Sequence, residues 1–150
     1  MGHTFSDILV HLIFSTKDRR PTISTAMQPR RNEYLAGVAR QEFGQALRIG
    51  GADNHIHGLI RLRTDVSVAE AVRKWKSLSS RWTHKTFADA GTFAWQIGYG
   101  AFSVSGPRKK AVIDYIDGQA GHHRKVTFEE EFLAFLRRYE VHYDPEHVWD

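Results

Sequence analysis

Two short stretches carry residue types that could do chemistry together. The first is Asp53-Asn54-His55-Ile56-His57-Gly58. Side chains on a β-strand alternate between faces, so His55 and His57 point one way and Ile56 the other. Two imidazoles about 7 Å apart along a strand can share one metal ion. The chain has no cysteine, so a further ligand must be a carboxylate, an amide or another histidine. The second stretch is Asp114-Tyr115-Ile116-Asp117-Gly118-Gln119. It reads as helix, with Tyr115 and Gln119 one turn apart on one face. A tyrosine so placed is either half-buried packing or, beside a metal, a nucleophile. Its ordinary pKa near 10 leaves little phenolate at neutral pH, so the second role needs a helping neighbour.

The elements that must position these groups follow from periodicity. Residues 8–14 alternate apolar side chains on both faces and read as a central strand. His11 interrupts the pattern and reads as a core or half-exposed histidine. Tyr34, Leu35, Val38, Ala39 and Phe43 recur at helical spacing over 28–43, with Gly44 as a stop. A short strand over 45–49, a turn at 50–54 and a strand over 55–63 make an antiparallel hairpin. On its second strand, Ile56, Gly58, Ile60 and Leu62 form a core face, and His55, His57, Leu59, Arg61 and Arg63 form the other. Ser67 and Glu70 are spaced as a capping box opening a helix over 68–85. That helix carries Arg73, Lys74, Lys76, Arg81 and Lys85, and no acid from Arg73 to Lys85. Strands are expected over 93–97 and 98–104, a third helix over 107–121, and a fourth opened by the Thr127–Glu130 box. The last presents Phe128, Phe132, Phe135, Leu136 and Tyr139 as one stripe. Trp149 in the tail is expected to pack against the body.

The order β-α-β-β-α-β-α-α matches the split βαβ plan, an α+β ferredoxin-like antiparallel sheet with helices on one face. A catalytic helix and a C-terminal helix follow, and the second sheet face, with the histidines, is expected to be open. The chain has 150 residues, 41% apolar and 25% charged, which suits a single domain over 1–150. No apolar run is long enough for a membrane span. The first residues lack the basic start of a secretory signal, and the missing cysteines fit a reducing cytoplasm. A net charge of +4 leans towards polyanionic partners.

Several separated motifs together resemble the single-tyrosine HUH transposases of small bacterial insertion sequences, the insertion sequence 200/605-like family. Asn54-His55-Ile56-His57 is similar to the family's histidine strand, where U is a bulky apolar residue. Residues 95–104, from Trp95 to Val104, resemble the strand before its catalytic helix. Tyr115 to Gln119, followed by His122-His123-Arg124-Lys125, resembles that helix and its exit, and residues 14–21 resemble the first strand and loop. The resemblance implies that His55, His57 and Gln119 hold a divalent metal, Mg²⁺ or Mn²⁺. It implies that Tyr115 attacks a phosphate of single-stranded DNA, leaving a 5′-phosphotyrosine link and a free 3′-hydroxyl that can later rejoin. It implies a substrate with hairpin ends, no small-molecule cofactor, and a homodimer in which the tyrosine acts in cis or in trans. His122 and His123 then read as phosphate-side or surface residues, because Gln119 fills the third ligand position. Gly58 departs from the family pattern, where a larger apolar residue is common, and is expected to loosen the packing behind the histidines.

Charge and placement, apart from the resemblance, make Arg61, Arg63, Arg73, Lys76 and Arg81 candidate DNA-backbone contacts. Three other readings stand beside transposition. One is a non-mobile relative acting on repetitive palindromic DNA. Another is a non-catalytic nucleic-acid-binding module using an open sheet face. The last is a metal-dependent hydrolase that activates water in place of tyrosine.

Overall fold

The computed structural model describes residues 2–122 and 125–150. The elements in order are β1 (Ile8–Ser15), α1 (Met27–Glu42), β2 (Gly44–Gly51), β3 (His55–Leu62), α2 (Val68–Thr86), β4 (Gly100–Val104), α3 (Lys109–Asp117), α4 (Gln119–His122) and α5 (Phe128–Arg138). The four strands form one antiparallel sheet in the order β2-β3-β1-β4. This is the expected ferredoxin-like sheet, with β1 and β3 at its centre. No described helix is long and apolar enough to cross a membrane.

Alternation along the central strands builds two cores. Val10, Leu12 and Phe14 of β1 and Ile56, Ile60 and Leu62 of β3 pack beneath Leu35 and Val38 of α1 and Val72 and Trp75 of α2. The opposite face is covered too, which corrects the expectation of an open face. Leu9, Leu59 and Val104 pack on Ile116 of α3. Ile13 and Phe102 pack on Phe128, Phe132, Phe135 and Leu136 of α5. The reason is area: the α5 stripe is mostly phenylalanine, and the second sheet face offers the matching apolar surface. Both helix starts are capped as expected. Ser67 accepts from the Glu70 N–H, and Thr127 and Glu130 complete a reciprocal box. Trp149 packs on Phe128 and Phe132 with the Arg19 guanidinium over its ring.

Two expected elements change form. Residues 93–97 are not a strand; only Trp95 makes an isolated bridge, to Thr16. Phe93 and Trp95 are drawn into the core beside α2, and side chains take several of the segment's carbonyls while Ala94 and Gln96 keep backbone bonds to Lys17 and Ser15. Lys76 donates to the carbonyls of Gln96, Ile97 and Gly98, and His84 bonds that of Phe93. The helix expected over 107–121 breaks at Gly118, which ends α3, and a single turn, α4, resumes at Gln119.

Gly58 does not loosen the packing. A Cβ there would lie 2.4 Å from Trp75 Cη2, so the fully buried indole already occupies the space. Gly50 makes a second close approach possible, since a Cβ there would meet Ile116 at 2.8 Å. It lets α3 seat directly beside His57, its partner across the β2–β3 ladder. Gly58→Val should overpack the Trp75 contact and cost roughly 1–3 kcal/mol of stability, read by urea unfolding.

Candidate active site

The register of β3 sets the two histidines. His55 and His57 stand on the face covered by α3 and α5, and both are fully buried. His55 Nδ1 lies 2.8 Å from Asn54 Oδ1. An amide oxygen only accepts, so Nδ1 carries the proton and Nε2 is turned inward. His55 Nε2 is 3.1 Å from Gln119 Oε1 and 3.9 Å from Glu131 Oε1. His57 Nε2 is 2.9 Å from the same Glu131 oxygen. Two ring nitrogens, an amide oxygen and a carboxylate oxygen therefore converge.

Glu131 is the residue that sequence reasoning missed. It is buried on α5, and its two oxygens face different neighbours. Oε1 faces the histidine pair. Oε2 accepts from the Tyr115 hydroxyl and from Gln119 Nε2 at 3.1 Å, and lies 3.3 Å from His122 Nε2. A signal was present in the sequence. Glu131 falls between Phe128 and Phe132, on the helix's buried stripe, where a carboxylate needs a reason to be. Glu129, Glu130 and Glu131 together also charge the first turn of the helix, which hides the signal.

His11 is also more than core filling. Its Nε2 is 2.8 Å from His57 Nδ1, and the rings are 5.0 Å apart. One ring nitrogen donates and the other accepts, so the bond pairs complementary tautomers of the two imidazoles and holds the His57 ring in place. Burial first, then the charge of His57, push the His11 pKa down to about 3, against the pull of Glu131. Tyr115 is pushed up from its ordinary value, by burial first and then by its hydrogen bond to Glu131 and that carboxylate's charge. At rest the phenol is a proton donor, not a phenolate.

The structure brings Tyr115, Gln119, His55 and His57 together within one chain. His122 joins them, with its Nε2 3.5 Å from the Tyr115 oxygen; His123 lies outside the described residues. The five basic residues read as backbone contacts lie elsewhere. Arg61 and Arg63 sit at the far end of β3, paired with Asp7 and Asp65. Arg73, Lys76 and Arg81 are on α2, in the layer on the other side of the sheet. Arg73 is paired with Glu70, and Lys76 is spent on three backbone carbonyls.

The profile of the "Transposase IS200 like" family matches residues 4–119, from before β1 to the site glutamine. The chain belongs to this family. No curated protein matches it significantly. Among solved structures, a candidate transposase from Deinococcus radiodurans R1 is similar at 20% identity with a TM-score of 0.59, over 79% of this chain and 96% of that one. A REP-associated tyrosine transposase bound to a REP hairpin is similar at 16% identity with a TM-score of 0.61, over 84% of this chain and 74% of that one. At these identities the likeness is one of fold. The family match ends at Gln119, so Glu131 and the whole of α5 lie beyond it.

The donor set of this family member fits a divalent cation. His55, His57 and Glu131 each offer a ligand atom, all within 4.8 Å of one another, and Gln119 Oε1 adds a fourth oxygen or nitrogen donor beside them. His11→Phe keeps the ring packing but removes the bond that orients His57. It should weaken Mn²⁺ binding about 10–100-fold in calorimetry. His11 also makes acid stability a readout. The unfolded imidazole takes a proton near its ordinary 6.5, and the folded one only near 3. Stability should therefore fall as pH drops through that window, and thermal unfolding should show a flatter acid limb in His11→Phe.

Proposed function

We propose that this transposase-family protein cleaves and rejoins single-stranded DNA through Tyr115. The observation that supports this reading most is the meeting of the Tyr115 hydroxyl and the His55–His57 pair on one buried carboxylate, Glu131. Tyr115 Oη attacks the phosphorus of a phosphodiester. The new O–P bond replaces the bond to the 3′ oxygen, which leaves with that electron pair and takes a proton from water to become a 3′-hydroxyl. Glu131 Oε2, already accepting the phenol O–H, is placed to take its proton. The product is a 5′-phosphotyrosine link that keeps the phosphodiester's energy, so a second 3′-hydroxyl can reverse the step without ATP.

His55, His57, Gln119 and Glu131 would hold a divalent metal, Mg²⁺ or Mn²⁺. Bound there, it would supply Lewis-acid stabilisation of charge on the scissile phosphate. The meeting of Tyr115 with His55 and His57 on Glu131 of the same chain supports action in cis. A homodimer would bring two DNA ends together and would not be needed to complete the site. The substrate is a strand with hairpin ends of a mobile element. A repetitive palindrome is the second reading, supported by the fold likeness to the transposase held on a REP hairpin.

The test uses labelled single-stranded DNA carrying either hairpin, incubated with Mg²⁺ or Mn²⁺ and run on a denaturing gel. A protein–DNA adduct is expected, absent in Tyr115→Phe and reduced by about 100-fold or more in His57→Ala. Cleavage that persists in Tyr115→Phe would overturn the tyrosine and favour activated water. Tight binding without cleavage under either metal would leave a binding module.

A further inference from the structure

We infer that the pocket on the outer flank of Tyr115 seats an unpaired nucleotide of single-stranded DNA, with Arg108 and Arg138 on its backbone phosphates. The inference rests on the tyrosine-cleavage reading above and names where that strand lies. The cavity measures about 500 Å³, within the usual range of roughly 300–1,000 Å³ for sites that take small organic groups. Tyr115 and His11 line it, and Phe135 and Tyr139 wall it from α5 and the residue after it. Arg108 reaches it from the head of α3 and Arg138 from the end of α5.

Three features point to a nucleotide. The first is charge. Arg108 and Arg138 are exposed, and neither has a carboxylate partner among the described residues. Arg61, Arg63 and Arg73 have theirs in Asp7, Asp65 and Glu70. Two unspent guanidiniums on opposite helix ends suit successive phosphates. The second is the wall. Tyr139 is 41% exposed and presents aromatic surface on which a base can stack, with the buried Phe135 ring nearly parallel to it at 14°. Arg138 rests over the Phe135 ring at 5.7 Å, which holds its head near the rim. The third is shape. A duplex keeps its bases inside the stack, and a concavity of this size is filled only by a base that has left it. On the inner flank, His55, His57, Gln119 and Glu131 are buried. The ring of Tyr115 itself borders the outer pocket, where a strand could bring a phosphate to its oxygen.

The experiment measures binding by fluorescence anisotropy in EDTA, so no cleavage enters. The probes are a labelled single strand of about 12 nucleotides and a blunt hairpin of the same length of stem. Arg108→Ala/Arg138→Ala should weaken single-strand binding roughly tenfold and flatten the slope of log K against log salt by about 1.4, for two phosphates on a single strand. Arg137→Ala removes one positive charge from the residue beside Arg138, outside the pocket, and should leave the slope within about half a unit. Ala111→Trp, which fills the pocket from the exposed side of α3 without changing charge, should weaken single-strand binding as well. Wild-type binding and slope in the double variant would overturn the proposal. So would an equal loss on the hairpin stem, which would place the arginines on duplex phosphates. The adduct gel separates the two failures. No adduct from the wild type sinks the tyrosine reading, while a normal adduct with unchanged binding in the double variant sinks only the pocket.

Discussion

A carboxylate inside a protein is costly unless its lone pairs are answered, and Glu131 is answered on both oxygens. One faces the two imidazoles of β3, and the other receives the phenol of α3 and the amide of α4. These groups come from three elements, β3, α3 and α4, so the contact ties the C-terminal half of the chain to the central sheet. An apolar side chain at that position would bury as much area. It would leave the imidazoles, the amide and the hydroxyl without a common partner. The phenylalanines of α5 supply the adhesion; the carboxylate decides where along the sheet the helix stops.

The sheet prepares its side of the contact with little freedom left. His57 is held from behind by His11, and His55 by its own neighbour Asn54. Gly50 lets α3 approach closely enough for Tyr115 and Gln119 to reach across. On the reverse of the same strand, Trp75 lies against the bare backbone of Gly58, so β3 is packed tightly on both sides. A strand that offers ligand atoms gains from that rigidity, because atoms already converged would lose little entropy on closing around an ion.

The basic residues divide into two populations. Those on β3 and α2 are largely consumed by internal pairs and carbonyls. Arg108 at the head of α3 and Arg138 at the end of α5 have no carboxylate partner among the described residues, and they lie beside the tyrosine. Counting positive charge along the chain could not separate the two, because whether a cation is spent depends on which acid the fold brings to it. Arg61 and Asp7, for example, are 54 residues apart in sequence.

Much of this protein was legible in its sequence because the relevant physics is local. The alternation of β1 and β3, the caps at Ser67 and Thr127, and the helical spacing of Tyr115 and Gln119 are each written within a few residues. So was the pairing of His55 with His57 on one face, which needs only the two-residue period of a strand. What the sequence alone left undecided was everything that depends on contact between distant segments. The second sheet face is covered, not open, because the α5 stripe had no other apolar surface to bury against. Residues 93–97 gave up a strand because Lys76 and the core offered their backbone and side chains better partners. Glu131 and His11 became part of the site because tertiary packing brings them, 74 and 46 residues away in the chain, within hydrogen-bond reach of His57.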